Sequence, residues 1–159
     1  MNTKKLSKMR QLIINLIILS FLTMLLGCGA ITGEEIARLS INQVDTEAIE
    51  TSVVLEKGEA IFVWSNMDLE FEGKLRLKFK MEILKEGEHL DYITIDPTDR
   101  TKLTLNQFRT SKGNKTKLSF SRRNAQINIP ENGNYTFKAY LESRTSNLKI
   151  DKADLVLRR

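Results

Sequence analysis

The chain has 159 residues, with 25 basic and 20 acidic side chains, a net charge of +5 and an isoelectric point near 9.3. Its single cysteine excludes an internal disulfide. One cysteine and one histidine also exclude a zinc site built from several such ligands. No glycine-rich phosphate-binding loop is present in the sequence.

The first segment of the chain is basic and then apolar. Four basic residues within the first ten positions precede an apolar run over residues 12–26, and the first acidic residue is Glu34. A membrane-spanning helix needs roughly 20 apolar residues, whereas the apolar part of a secretory signal peptide needs about 7–15. The 15-residue run therefore predicts an export signal.

The apolar run ends in Leu25-Leu26-Gly27-Cys28. These residues resemble the lipobox of bacterial lipoproteins, in which a large apolar residue, a variable position and a small residue precede cysteine. The resemblance implies transfer of a diacylglyceryl group to the Cys28 sulfur, cleavage after Gly27 and acylation of the new amino terminus. The alternative is an uncleaved signal anchor or a buried segment with a chance cysteine.

The same resemblance predicts the domain organisation and the location. Residues 1–27 form the lipoprotein signal peptide, residues 28–35 the lipidated N-terminus and short tether, and residues 36–159 the folded domain. Two or more acyl chains hold a protein stably on a membrane, here facing the periplasm or the cell exterior. Aspartate after the cysteine favours inner-membrane retention in this family, so Gly29 favours the outer membrane in a cell that has one.

Charge is distributed unevenly along the chain. Without the signal peptide, 21 basic and 20 acidic residues remain, so the alkaline isoelectric point is largely a property of the signal. Residues 45–99 carry 14 acidic and 6 basic side chains, whereas residues 100–130 carry eight basic and no acidic ones. Two interpretations are open: separate acidic and basic surfaces, or interleaved strands whose charges neutralise one another.

Alternation of apolar and polar residues predicts short β-strands. The clearest strand is residues 74–83, in which every second residue is apolar, as expected for a strand with one buried face. Further strands are predicted at residues 52–56, 59–65, 90–95, 102–108, 117–120, 126–129, 134–141 and 148–157, with a turn of helix at residues 46–50. Short strands at this spacing predict an all-β protein, an antiparallel β-sandwich.

Residues 130–141 join an Asn- and Gly-rich turn to a long alternating strand. This segment is similar to the penultimate-strand region of immunoglobulin-like domains, in which a corner tyrosine bonds back to the preceding loop. The resemblance implies that Tyr135 is that tyrosine, that Phe137 stands where antibody domains have their second cysteine, and that Trp64 is the core tryptophan. No cysteine pair exists, so an antibody-type core is excluded.

The basic segment supplies the candidate binding residues. This segment is residues 109–123, with Phe108 directly before it and Phe120 within it. Interleaved cations and aromatic rings bind single-stranded nucleic acid in other proteins. An exported, tethered protein favours instead an anionic lipid headgroup, an acidic glycan or an acidic protein face, so no nucleic-acid partner is predicted. The candidates are Lys112, Lys115, Lys117, Arg122 and Arg123.

Few residues suggest catalysis or metal binding. His89 is the only candidate base and has no G-x-S-x-G nucleophile context in the sequence. Asp91, Asp96 and Asp99 are candidates for calcium, although aspartate in turns commonly caps its own backbone. No metal site and no cofactor are predicted.

The sequence therefore predicts a membrane-anchored extracytoplasmic lipoprotein, not an enzyme, that binds or scaffolds an envelope protein or polymer. One alternative is a small envelope hydrolase that uses His89. Another is a glycan-binding module with exposed aromatic side chains, for which Trp64, Tyr92 and Tyr140 are candidates. A purely structural lipoprotein is a further possibility.

Overall fold

The computed structural model describes residues 33–159. The predicted signal peptide, the cleavage after Gly27 and the lipidation of Cys28 lie outside these residues. No helix in the described part of the chain has the length and apolar character needed to cross a membrane. The strands of this part are β1 (Glu35–Ser40), β2 (Ile49–Leu55), β3 (Ala60–Glu72), β4 (Leu77–Lys85), β5 (Glu88–Ile95), β6 (Thr104–Lys112), β7 (Lys115–Asn128), β8 (Gly133–Ser143) and β9 (Lys149–Arg158).

These strands form two antiparallel sheets, as the alternation in the sequence predicted. One sheet has the strand order β1-β9-β3-β7-β6 and the other has the order β2-β8-β4-β5. Their inner faces share one hydrophobic core, to which both sheets contribute fully buried side chains. The fold is an all-β sandwich, and Glu35–Arg159 forms one compact unit.

Strand β4 shows how the sequence pattern produces the core. Leu77, Phe79, Met81 and Ile83 are almost completely buried, whereas the side chains between them face outward. Full burial of such a side chain contributes about 1.5–3 kcal/mol. This strand pairs with β8 on one side and β5 on the other, so its apolar face lies at the centre of the four-stranded sheet.

The prediction of two short strands at residues 117–120 and 126–129 is wrong. Residues 117–120 and 126–128 belong to the single 14-residue strand β7, and Ile129 follows its end. Its alternation is interrupted because Arg122 and Asn124 are polar residues that are nevertheless buried. Asn124 is also the extra residue of a β-bulge, after which Ala125 pairs with Val63 and returns to the inward phase.

Other boundaries also differ from the sequence prediction, and the strand predicted at residues 74–83 begins at Leu77, so that residues 74–76 belong to the β3–β4 connection. Residues 46–50 contain no helical turn, because β2 begins at Ile49 and pairs there with Ala139 of β8. Strand β3 continues to Glu72 rather than ending at residue 65. Strand β1 was not predicted, and it exists through pairing with β9. In each case, pairing with a distant strand determines the local conformation.

The predicted tyrosine bond is present. The Tyr135 hydroxyl donates a 2.8 Å hydrogen bond to the backbone carbonyl of Glu131, and Phe137 is fully buried in the core. Trp64 is also buried, but its side chain lies on the outward face of β3, whereas that of Val63 lies on the inward face. The Arg158 guanidinium lies over its indole, 5.7 Å from the ring centroid.

Candidate functional site

Along one side of the sandwich, the edge strands of the two sheets contact each other. β1 of one sheet contacts β2 of the other, so β6 and β5 are the end strands on the opposite side. Strand β6 is exposed along almost its whole length. Near it, the β3–β4 connection and the β5–β6 connection approach the inner face of β6 and β7.

These segments line an open cleft of about 410 Å³. Four basic side chains line it: Lys74 from the β3–β4 connection, Arg100 from the β5–β6 connection, Arg109 from β6 and Arg122 from β7. None of the described residues that line it is acidic. The cleft therefore concentrates positive charge, and we refer to it as the basic cleft.

Arg122 is the buried member of this group, with 3% of its surface exposed. Its Nη1 donates to the backbone carbonyl of Pro97 at 2.7 Å, its Nε to Thr104 Oγ1 at 2.8 Å, and its Nη2 to Gln107 Oε1 at 3.0 Å. The guanidinium lies 4.8 Å from the centroid of the Phe120 ring. Neutral acceptors thus hold this cation in one orientation.

Burial also affects the titration of this side chain. Desolvation penalises the charged form and lowers the pKa of Arg122, while the charges of Asp99 and Asp96 act in the opposite direction. No ion pair joins Arg122 to a carboxylate among the described residues. The buried charge is consequently only partly compensated by the protein.

The three aspartates that are candidates for calcium accept hydrogen bonds from their own neighbouring residues. Asp96 Oδ1 accepts hydrogen bonds from the backbone N–H and the hydroxyl of Thr98, and Asp99 Oδ1 does the same for Thr101. The Thr101 bonds lower the pKa of Asp99. Asp91 accepts from the next backbone N–H. Within residues 33–159, no group of three or more metal-ligating side chains is arranged to hold an ion.

The five predicted binding residues do not share one surface. Lys115 and Lys117 face outward on β7, where their Nζ atoms lie 3.6 and 3.4 Å from the Glu70 carboxylate of β3. Lys112 ends β6 and pairs with Lys115 across the hairpin. On this face, acidic β3 lies beside basic β7 in register, so the charges of the two sequence segments interleave.

The adjacent residues Arg122 and Arg123 point in opposite directions. Arg122 faces the basic cleft, whereas Arg123 faces outward and lies over the Phe62 ring, 4.9 Å from its centroid. Successive residues of a strand alternate between faces, which separates these neighbours by the thickness of the sheet. Of the predicted binding residues, Arg122 is the one that lines the cleft.

Among the described residues, one carboxylate lies within ion-pair distance of the His89 ring. Its Nδ1 lies 3.0 Å from Glu82 Oε1, and its side chain is 58% exposed. The hydrogen bonds of the described residues do not connect its ring to a serine or threonine hydroxyl. The arrangement supplies an imidazole and a carboxylate without an adjoining nucleophile.

Two of the aromatic candidates for glycan binding lie together. The hydroxyl oxygens of Tyr92 and Tyr140 are 3.4 Å apart on the outward face of the four-stranded sheet. Their hydrogen bond is the main cause that raises the pKa of Tyr140 to about 12. Tyr92 is 48% exposed, whereas Trp64 is buried.

The sequence prediction missed most of the basic cleft. Arg100 and Arg109 belong to the basic stretch of the sequence but not to its five candidate residues, and Lys74 precedes that stretch. These residues approach one another only after the sheets form. A signal for Arg122 does exist in the sequence: it lies two residues after Phe120 and therefore in the inward phase of β7. A basic residue in that phase must be buried with partners or line an opening.

A second cleft lies next to the first. Its volume is about 530 Å³, and it shares Lys74, Leu75 and Thr98 with the basic cleft. Several further basic residues line it, but so do Asp96 and Glu142. Its charges are therefore mixed, which leaves the basic cleft as the stronger candidate for a charged ligand.

No protein-family model matches this chain, and no curated protein matches it in sequence. The functional assignment accordingly depends on the chemistry of the residues described above.

Proposed function

We propose that this protein is a membrane-anchored extracytoplasmic lipoprotein that acts as a binding module, with the basic cleft as its ligand site. The anchor follows from the lipobox-like residues that end in Cys28. The binding role rests on one observation: four cationic side chains converge on an open cleft whose described lining includes no carboxylate.

This charge arrangement favours an acidic partner. Like charges around a concave surface repel one another, and the low-dielectric walls of a cleft strengthen the local positive potential. An anionic group in the cleft relieves this repulsion and compensates the buried charge of Arg122. The proposed partner is therefore an envelope protein or polymer that presents a negatively charged group.

Capture from intact host cells tests this proposal. The tagged full chain is crosslinked, purified and analysed by mass spectrometry beside the double variant Arg100→Gln/Arg109→Gln. The matched control Lys57→Gln/Lys138→Gln removes the same charge outside the cleft. We expect a reproducible partner in the wild type and the control, and its loss in the cleft variant. Equal capture by all three would show that the cleft is not the binding site.

The Tyr92–Tyr140 pair favours a glycan-binding module as a second candidate. Sugar rings stack on exposed aromatic side chains, and the hydroxyls of these two residues meet on the outward face of the four-stranded sheet, where Tyr92 is 48% exposed. Binding to purified envelope polysaccharide that is abolished by Tyr92→Ala, with the cleft residues intact, would favour this function over the first.

The small-hydrolase alternative depends on His89 and its neighbour Glu82. It predicts that His89→Ala removes a hydrolytic activity of the membrane fraction while the fold is retained. An activity that is unchanged in this variant would exclude His89 as its base.

A further inference from the structure

We infer that the basic cleft binds an organic oxyanion, a carboxylate or phosphate group attached to an apolar body, and that Arg122 holds the anionic group. This inference rests on the proposed function, because it names the ligand chemistry of the same site.

The hydrogen bonds of Arg122 leave capacity for an anion. A guanidinium has five N–H groups, and three of them donate to Pro97, Thr104 and Gln107. One N–H on each terminal nitrogen is left without an acceptor among the described residues. Two N–H groups of a planar guanidinium match the two oxygens of a carboxylate or phosphate.

The orientation of this guanidinium is fixed before a ligand arrives. Its three neutral acceptors come from the β5–β6 connection and from β6, and the Phe120 ring supports its face at 4.8 Å. A side chain that is already ordered loses little conformational entropy on binding. Arg122 is therefore suited to select the anionic group rather than only to attract it.

The rest of the cleft favours an apolar body on the ligand. Phe71, Leu75, Leu118 and Phe120 line it together with the cations. The volume of about 410 Å³ is within the range of small-molecule sites. A bare inorganic ion would leave this apolar surface in contact with water, so an acid with an attached ring or chain fits the lining better.

The other cations have a different role. Lys74, Arg100 and Arg109 are exposed at the mouth of the cleft. Exposed charges mainly increase the association rate and are screened by salt, whereas a buried charged contact determines dissociation. We expect the mouth residues to control salt dependence and Arg122 to control selectivity.

The experiment is a chemical-shift titration of the full chain in phosphatidylcholine nanodiscs. Benzoate and phenyl phosphate are the probes. Benzamide is the neutral control, and inorganic phosphate is the control without an apolar body. The variant Arg122→Lys retains the charge but lacks the planar fork. Arg123→Lys makes the same change at the adjacent, outward-facing position.

We expect one or both probes to shift resonances of β6 and β7, with benzamide and inorganic phosphate about tenfold weaker. Arg122→Lys should weaken probe binding about tenfold, as expected for a lost charge-assisted hydrogen bond. Arg123→Lys should leave it unchanged. The tighter of the two probes identifies the anionic group.

Arg109→Gln tests the site without changing the interior, and it should weaken binding mainly at low salt.

Three results would overturn the inference. Benzamide that binds as well as benzoate would indicate a merely apolar cleft. Inorganic phosphate that binds as well as phenyl phosphate would indicate unspecific attraction by cations. Probe binding that survives Arg122→Lys would restrict Arg122 to a structural role. Probe binding without any captured cellular partner would instead refute only the macromolecular partner of the proposed function, and the oxyanion site would stand.

Discussion

Replacement of Arg122 by methionine measures what the buried cation contributes to stability. Methionine has a similar length, and its contact of sulfur with Phe120 offsets the lost cation–π contact, since both contribute about 1 kcal/mol. Thr104 and Gln107 are accessible enough to exchange their lost bonds for water. The carbonyl of buried Pro97 is the one acceptor left unpaired, at a cost of about 1–3 kcal/mol. We therefore expect a destabilisation of about 2 kcal/mol.

Thermal and urea unfolding of the wild type and Arg122→Met check this value. For a domain of this size, 1 kcal/mol corresponds to about 4 °C, so Tm should fall by about 8 °C. The Tm of the matched variant Arg123→Met, which changes the outward face, should fall by less than half as much. A stability equal to or above that of the wild type would mean that the desolvation cost of the cation exceeds its hydrogen bonds, and our reasoning on the Pro97 contact would be refuted.

Three further changes test other parts of the molecule. Tyr135→Phe removes the bond to the Glu131 carbonyl; because Glu131 is exposed, urea unfolding should show a loss of about 1 kcal/mol, and no loss would contradict the bond. Tyr92→Phe should move the pKa of Tyr140 from about 12 toward 10 in an ultraviolet titration. The folded wild type holds the Tyr140 hydroxyl proton more tightly than the unfolded chain does, so the stability of the wild type should fall as pH rises from about 10 to 12. The stability of the variant should fall less over this range. An unchanged titration of Tyr140 would contradict the Tyr–Tyr contact. Cys28→Ser should release the protein from the membrane fraction, and its retention there would argue against a lipid anchor.

The fold could be predicted from the sequence where one alternation holds along a whole strand. β4 is such a case, since its apolar residues from Leu77 to Ile83 are regularly spaced and buried. Sequence reasoning failed at β7, where Asn124 forms a bulge and donates to Ser65 Oγ of β3 at 2.8 Å. A buried polar pair between strands more than 50 residues apart has no local pattern, because each residue alone is typical of a loop.

The candidate site was predictable only in part for the same reason. The run of basic residues from position 100 to 130 indicated positive charge, but it did not indicate which cations share a surface. Strand alternation sends Arg122 inward and Arg123 outward, and pairing with β3 places Lys117 beside Glu70. The cleft also needs Lys74, which precedes this run in the sequence and reaches the site through the β3–β4 connection.

The strand order has a consequence for when this protein can fold. β9 lies between β1 and β3 in the five-stranded sheet, so the first strand has no partner until the last one is available. β3 likewise waits for both β7 and β9. Such non-local pairing makes folding slow, and a chain that emerges from its N-terminus reaches the native sheet only after residues 149–158 have emerged. Under the export that we propose, this strand order would delay completion of the five-stranded sheet until the C-terminal strand has also crossed the membrane.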